Sequence, residues 1–167
     1  RRVLFRSNGV PYQVDCNEQA NHLHGGRAGW DRRIWESEPH PDGAGITFRT
    51  FSPDGDMGFP GSCEVRSTYR LQGSTLRLTL EATPDRDTLI NMVHHSYVNL
   101  AGHGSGDVLD HHVRISADFY LPVDDELLPT GEVRQVAGTA FDFRELRPIG
   151  ERMNELPWTP RMAVEIG

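Results

Sequence analysis

The chain has 167 residues, 37% of them hydrophobic and 25% charged, with a formal net charge of −7. Its length fits one ordinary domain, and it lacks the roughly 20-residue apolar run of a membrane span. Because the acidic balance also excludes the basic face that nucleic acids require, we expect no nucleic-acid or membrane partner, whereas a neutral sugar is compatible with it.

The first segment, RRVLFRS, resembles translated adaptor sequence, so we interpret residues 1–7 as a non-native leader and residues 8–167 as the domain. Alternating apolar and polar residues then predict short strands. These strands fall at residues 10–16, 46–51, 63–72, 75–82, 113–121 and 132–136. Gly73-Ser74 fits the tight turn of a hairpin, and residues 52–61 (SPDGDMGFPG) fit a turn-rich loop.

No segment has a sustained 3.6-residue apolar period, and only a short helical turn is expected, near residues 140–145. Many short strands at close spacing predict an all-β sandwich or barrel. The chain ends in an apolar, strand-like stretch at residues 163–167, and together with the adaptor-like start this predicts a fragment cut at both ends.

The two cysteines, Cys16 and Cys63, are too few for a disulfide framework. We therefore expect free thiols in a reducing compartment, which favours the cytoplasm. No feature of the sequence indicates an oligomeric state.

Histidines are concentrated in two places, with five of the eight in residues 94–112 and two in NHLHGG, residues 21–26. One interpretation is a zinc or iron site. If His22 and His24 lay on a strand, both rings would point the same way. A third ligand would come from His95, His111 or His112. Against a metal, neither cysteine is near a histidine and no HExxH spacing occurs.

The second interpretation is that most of these histidines are satisfied polar residues at strand-to-loop junctions. It applies to His22, His94, His103, His111 and His112, whereas His40, in a Pro-rich loop, is expected to be solvated. The third interpretation is proton transfer, which histidine performs near neutral pH. The spacing of the histidines leaves all three open.

Five motifs occur in a characteristic order between about residue 10 and residue 150. They are NHLHGG with the following Gly29-Trp30-Asp31 and Trp35, SPDGDMGFPG, HHSYVNLAG, LPVDDELLPTGEV and FDFRELRPIG. In their order and separations they resemble the aldose 1-epimerases, also called galactose mutarotases.

The resemblance implies a β-sandwich of the galactose mutarotase-like type. It also implies interconversion of the α and β anomers of free hexoses such as galactose and glucose, with no metal and no organic cofactor. In the family, the histidine before Ser-Tyr is the general acid, which corresponds here to His95. Ser96 and Tyr97 belong to the same sugar-binding segment. His24, in LHGG, is implied to bind the sugar and polarise its ring oxygen.

The remaining conspicuous residues have more ordinary expected roles. Trp30 and Trp35 are expected to pack in the hydrophobic core rather than to stack on a sugar. His111 is expected to stabilise a loop near the pocket.

The sequence also departs from the family pattern. His94 stands where the family has Asn, and Val98 replaces the usual aromatic residue. The upstream Asn-Arg pair, the downstream substrate-binding aspartate and the later general-base glutamate have no counterpart in this chain. We therefore expect the chain alone to be weakly active or inactive. The alternative is a non-catalytic carbohydrate-binding or regulatory domain on the same sandwich.

Overall fold

The computed structural model describes residues 4–156, and short β-strands make up most of their regular structure, as predicted. The chain forms two compact units, with the boundary between His94 and His95. The first unit contains β1 (Leu4–Ser7), β2 (Val10–Gln13), β3 (Glu36–Pro39), β4 (Gly45–Ser52), β5 (Cys63–Gln72) and β6 (Thr75–Pro84). The second contains β7 (His112–Val113), β8 (Phe119–Tyr120), β9 (Arg134–Gln135) and β10 (Arg147–Pro148). Short 3₁₀ turns occupy Trp30–Arg32, Asp56–Gly58 and Ile149–Glu155.

In the first unit, β3, β4, β5 and β6 form an antiparallel sheet in that order. The predicted hairpin is confirmed, because Gln72 pairs with Thr75 and leaves Gly73 and Ser74 as the turn. Gly73 has a φ of +60°, a conformation that glycine adopts without steric cost. The predicted strands at residues 46–51 and 75–82 are confirmed with slightly longer bounds.

The core of this sheet lies on one face of β5. Cys63, Val65 and Ser67 are buried at alternate positions, and Val65 is fully buried. The intervening Glu64 and Arg66 lie on the opposite face, as the period of two along a strand requires. The strand predicted at residues 63–72 from this alternation is therefore confirmed with the same bounds.

The sequence did not predict β3, whose four residues (ESEP) are all exposed. It is an edge strand that pairs only with β4, from Glu36 opposite Arg49 to Pro39 opposite Ile46. An edge strand with neither face buried has no hydrophobic alternation, so its pattern gives no signal.

The prediction of one strand over residues 113–121 is wrong. β7 pairs with β10 and β8 pairs with β9, and the segment between β7 and β8 leaves the strand conformation. There the Ile115 N–H donates to the Phe143 carbonyl at 2.7 Å, and the Ala117 N–H donates to the Ile115 carbonyl at 2.9 Å. The pairing strand changes from β10 to β9 while the sequence keeps alternating apolar and polar residues. The alternation alone therefore could not show where one strand ends and the next begins.

The helical turn expected near residues 140–145 is also absent from the structure. Asp142 accepts hydrogen bonds from the backbone and guanidinium of Arg144, which favours a non-helical turn. The 3₁₀ turn lies further along, at Ile149–Glu155. The strand predicted at residues 132–136 is shortened to β9.

Residues 4–7 form β1 and pair with β2, and the Phe5 ring stacks on Tyr12 at 5.4 Å between centroids. The interpretation of residues 1–7 as a non-native leader stays a prediction. The strand expected at residues 10–16 ends at Gln13. The strand-like residues 163–167 lie outside the described residues.

Cys16 is half-buried and Cys63 buried, and both are free thiols, as predicted. Burial raises the pKa of the Cys63 thiol. Among residues 4–156, no helix has the length and apolar character that crossing a membrane would require.

Replacement of Val65 by alanine tests the position of the core. Val65→Ala should lower the free energy of unfolding by about 2 kcal/mol, from two lost methylene equivalents and the cavity they leave. Leu76→Ala, at a β6 side chain that is 64% exposed, is the matched control and should cost less than about 0.5 kcal/mol. Urea unfolding of both variants measures the difference, and equal losses would contradict this placement of the core.

Candidate active site

The NHLHGG segment forms a turn rather than a strand. His24 is exposed and has a φ of +51°, followed by Gly25 at +83° and Gly26 at +88°. The condition on which the metal interpretation depended, that His22 and His24 lie on a strand, is therefore not met. A non-glycine residue in the left-handed region is uncommon, and the tight turn holds His24 there.

Hydrogen bonds hold the chain that leads into this turn. The Asn17 side chain donates to the Leu23 carbonyl at 2.9 Å and accepts from the Leu23 N–H at 2.8 Å. His22 Nδ1–H donates to the Asp15 carbonyl at 2.7 Å, and the His22 ring meets Phe59 edge-on at 5.2 Å. Because a carbonyl only accepts, Nδ1 carries the proton. His22 is thus a satisfied packing residue, as predicted.

The far side of the turn depends on a glycine. A β-carbon at Gly29 would overlap the carbonyl oxygen of His24, so only glycine permits this approach. The loop also rests on the 3₁₀ turn at Asp56–Gly58, where the Asp15 N–H donates to the Met57 carbonyl at 2.9 Å. The His24 turn is therefore held from both ends.

Arg33 connects three segments around this turn. Its guanidinium donates to the carbonyl oxygens of Ala28 and Phe51, each at 3.2 Å, and forms an ion pair with Asp56. The two charged side chains are only 21% and 11% exposed. Ser52 Oγ donates to the same carboxylate oxygen. The planar guanidinium of arginine can donate to several acceptors at once, in fixed directions, whereas the ammonium group of lysine cannot.

Sequence reasoning missed Arg33 and Asp56. Arg33 directly follows Arg32, whose side chain is 66% exposed beside Asp31, and nothing local distinguishes the two arginines. Asp56 lies in a loop that was predicted only as a run of turn residues. The two are 23 positions apart, so only the folded chain brings them together.

The second unit begins at His95, the second residue of the HHSYVNLAG segment. Residues 87–99 have no regular secondary structure. His95, Ser96 and Tyr97 are exposed, and the rings of His95 and Tyr97 lie 5.3 Å apart at an angle of 54°. These three expected site residues are neighbours because they are consecutive in the chain, whereas His24 belongs to the other unit.

His94, His111 and His112 have structural contacts, as predicted, whereas the same prediction is not confirmed for His103. The His94 ring meets Tyr69 edge-on at 5.9 Å, and His112 Nδ1–H donates to the Asp110 carbonyl at 3.0 Å. His111 Nε2 accepts the Leu100 N–H at 2.9 Å, which stabilises a loop as expected. His103 is exposed.

The expectation of a solvated His40 is wrong. His40 is half-buried, its Nδ1 accepts from Arg70 at 2.6 Å, and its Nε2–H donates to Thr47 Oγ1 at 2.9 Å. Arg70 also binds both carboxylate oxygens of Asp42, at 2.7 and 3.2 Å. His40 thus joins the turn before β4 to β5, a role that a local reading of the Pro-rich loop could not reveal.

Trp30 and Trp35 are half-buried rather than part of the buried core, and the Trp35 indole donates to the Trp30 carbonyl at 2.9 Å. Within residues 4–156, no group of three or more His, Cys, Asp or Glu side chains is arranged to hold a metal ion.

The second unit has a polar cavity of about 340 Å³, lined by Asp142, Arg144, Glu145, Arg147 and Arg152. Arg144 binds both carboxylate oxygens of Asp142 at 2.8 Å, and Arg152 pairs with Glu155. Arg147 lies over the Phe143 ring at 4.5 Å and donates to the Ala140 carbonyl. Arg144 and Arg152 are thus paired with carboxylates, whereas Arg147 contacts an aromatic ring and a carbonyl, and its Nε is buried without a hydrogen-bond partner in the described residues.

Replacement of Arg33 tests how the His24 turn is held. Arg33→Ala should lower the free energy of unfolding by about 3 kcal/mol, because it leaves the largely buried Asp56 carboxylate without its cation. Arg33→Lys should recover part of this loss, since it keeps the charge but not the fork. Arg49→Ala is the control, because the pair of Arg49 with Glu38 is 43% and 64% exposed and should contribute less than about 1 kcal/mol. Equal losses in urea unfolding would contradict the assignment.

The Asp142–Arg144 pair predicts a pH dependence. The hydrogen bond from Arg144 lowers the pKa of Asp142 from 3.8 to about 2. Because the pKa of Asp142 is lower in the folded than in the unfolded chain, its ionised carboxylate stabilises the folded state. This stabilisation is complete above about pH 4 and is lost as the pH falls toward 2. In Asp142→Asn and in Arg144→Gln, the urea midpoint should change less between pH 4 and pH 2 than in the wild type. An unchanged pH slope in both variants would contradict this.

Comparison with known proteins identifies the family. The profile of the aldose 1-epimerase family matches residues 2–160. The chain is 44% identical to the galactose mutarotase of Pongo abelii over 90% of its own length and 44% of that protein. It is 41% identical to the aldose 1-epimerase of Escherichia coli K12, over 87% of its length and 42% of that protein. The chain thus spans less than half the length of these curated relatives.

Two crystal structures share the fold. A galactose 1-epimerase from Lactobacillus acidophilus NCFM superposes with a TM-score of 0.83 at 35% identity, covering 92% of this chain and 46% of that one. An aldose epimerase homologue from C. elegans gives 0.84 at 30% identity, covering 95% and 48%. The all-β fold of the galactose mutarotase-like type is thereby confirmed, and the chain belongs to the aldose 1-epimerase family.

Proposed function

We propose that the protein carrying this chain is an aldose 1-epimerase that interconverts the α and β anomers of free hexoses such as galactose and glucose. The observation that carries the proposal is the exposed His95 imidazole beside Tyr97, at the motif position of the family's general acid. The similarity to proteins named galactose mutarotase and aldose 1-epimerase supports the same reaction.

Mutarotation requires a proton donor and a proton acceptor. A base removes the proton of the C1 hydroxyl while an acid protonates the ring oxygen O5, and the C1–O5 bond breaks to give the open-chain aldehyde. Rotation about the C1–C2 bond and closure on the other face of the aldehyde give the second anomer. Each positioned acid or base group contributes about 10² to 10⁴ in rate. The reaction needs neither a metal nor an organic cofactor.

In this proposal His95, as the imidazolium, donates its proton to O5, and it binds the sugar together with Ser96 and Tyr97. His24 donates a hydrogen bond to the ring oxygen and so makes C1–O5 cleavage easier. Support comes from the exposure of both imidazoles and from the left-handed turn at His24–Gly26, where the glycines let a polar substrate approach the backbone. The convergence of His24 and His95 on one pyranose is part of the proposal, as is a general base supplied from outside this chain.

The proposed partner is a small neutral sugar, without nucleic acid or membrane. A cytoplasmic location belongs to the same proposal, and the free thiols of Cys16 and Cys63 support it.

Substitution of His95 tests the function. In the complete protein, His95→Gln should reduce kcat for the anomerisation of α-galactose by at least about a hundredfold, because glutamine cannot supply the proton to O5. Polarimetry of freshly dissolved α-galactose measures the rate. His103→Gln, at an exposed histidine of the same unit, is the matched control and should leave the rate unchanged.

Full activity of His95→Gln would defeat the assignment of the acid. Sugar binding by the wild type without any acceleration of mutarotation would defeat the enzymatic proposal and favour the carbohydrate-binding alternative.

A further inference from the structure

His111 lies at the centre of a set of hydrogen bonds in the second unit. Its side chain is half-buried, and its Nε2 accepts the backbone N–H of Leu100 at 2.9 Å. Since a backbone N–H only donates, Nε2 must be unprotonated and the ring proton must lie on Nδ1. The bond therefore requires the neutral imidazole in one tautomer.

The backbone of His111 is fixed as firmly as its ring. The His111 N–H donates to the Val108 carbonyl at 3.0 Å, and the His111 carbonyl accepts from the Ile149 N–H at 2.9 Å. The next residue, His112, pairs with Pro148 in the β7–β10 ladder. The imidazole is thus attached to paired strands, although it reaches into a loop.

The close packing of Gly150 strengthens this attachment. The Gly150 N–H donates to the Leu109 carbonyl at 2.8 Å. A β-carbon at Gly150 would lie 2.9 Å from Leu109 Cβ and 3.3 Å from its carbonyl oxygen, so any other residue would push the two segments apart. The last residues of FDFRELRPIG, Ile149 and Gly150, therefore fix the position of the chain that bears the His111 ring.

The segment that His111 holds is the one that bears His95. Leu100 follows His95 by five residues, and residues 87–99 have no strand or helix to fix them. Asn99 supports the same point, because its side chain donates to the Gly106 carbonyl at 3.0 Å and accepts from the Ala101 N–H at 3.0 Å. The bond to Leu100 therefore attaches an irregular, exposed segment to a strand pair.

We infer that His111 is a positioning residue for the reaction: its neutral imidazole anchors Leu100 and so holds the His95–Tyr97 segment in the geometry for proton transfer to the sugar. This inference rests on the proposed function and adds a residue outside the substrate-binding motif. His111 itself does not touch the substrate. Its effect arises because small displacements of a catalytic group cost large factors in rate.

The test compares His111→Leu, which removes the acceptor, with His111→Gln, whose side-chain oxygen can accept in place of Nε2. In the complete protein, His111→Leu should lower kcat for α-galactose anomerisation by about tenfold or more, with a smaller change in KM. It should also speed hydrogen exchange of the Leu100 amide, followed by NMR, by about five- to tenfold. His111→Gln should restore both quantities to within about threefold of the wild type.

His112→Leu is the matched control. The His112 side chain is exposed, and within residues 4–156 it bonds only locally, to the Asp110 carbonyl. It should leave the Leu100 exchange rate and kcat unchanged. A normal kcat in His111→Leu, or no recovery in His111→Gln, would overturn the positioning role.

The inference and the proposed function fail in different ways. A complete wild-type protein without mutarotase activity defeats the proposed function. Unchanged Leu100 exchange in a folded His111→Leu protein defeats the anchor, whatever the activity.

Discussion

The guanidinium of Arg33 and the carboxylate of Asp56 form the interaction on which the geometry of the first unit depends. Both side chains are largely buried, and Arg33 also binds the carbonyl oxygens of Ala28 and Phe51. One cation therefore joins the end of the His24 loop, the end of β4 and the 3₁₀ turn at Asp56–Gly58. Removing either charge would leave the other in a poorly solvated place, so the three segments keep their arrangement together.

The second unit holds its histidine segment by different means. Its strands are two residues long, and its anchor is a main-chain N–H bonded to an imidazole, His111, that is itself fixed by β7 and β10. The arginine cluster of FDFRELRPIG organises the chain around β10, with Arg147 lying over Phe143. In both units an exposed candidate histidine lies in an irregular segment, and side-chain-to-backbone hydrogen bonds supply the order that a helix or a long strand would otherwise give.

These polar connections matter because the apolar core of the described residues is small. The buried hydrophobic residues there are Val14, Cys63, Val65 and Val136. Long-range contacts of charged and aromatic side chains carry much of the remaining order, as in the His40–Arg70–Asp42 network and the packing of Phe5 and His22 around Phe59. Because such networks are satisfied only when every member is in place, they specify the conformation of loops more sharply than apolar contact alone does.

The sequence by itself determined the all-β class, the β5–β6 hairpin and the family, because period-two alternation and motif order are local or linear properties. It also predicts His24, His95, Ser96 and Tyr97 as site residues through their motifs. Only the tertiary structure decided that β3 is a strand, that residues 113–121 divide between two partners, and that the NHLHGG segment is a left-handed turn. The roles of Arg33 and His40 likewise emerged only there, since each depends on a partner 23 or 30 residues away whose position no local pattern encodes. The sequence predicted that His111 stabilises a loop, but only the structure identified its partner, the Leu100 N–H, 11 residues away.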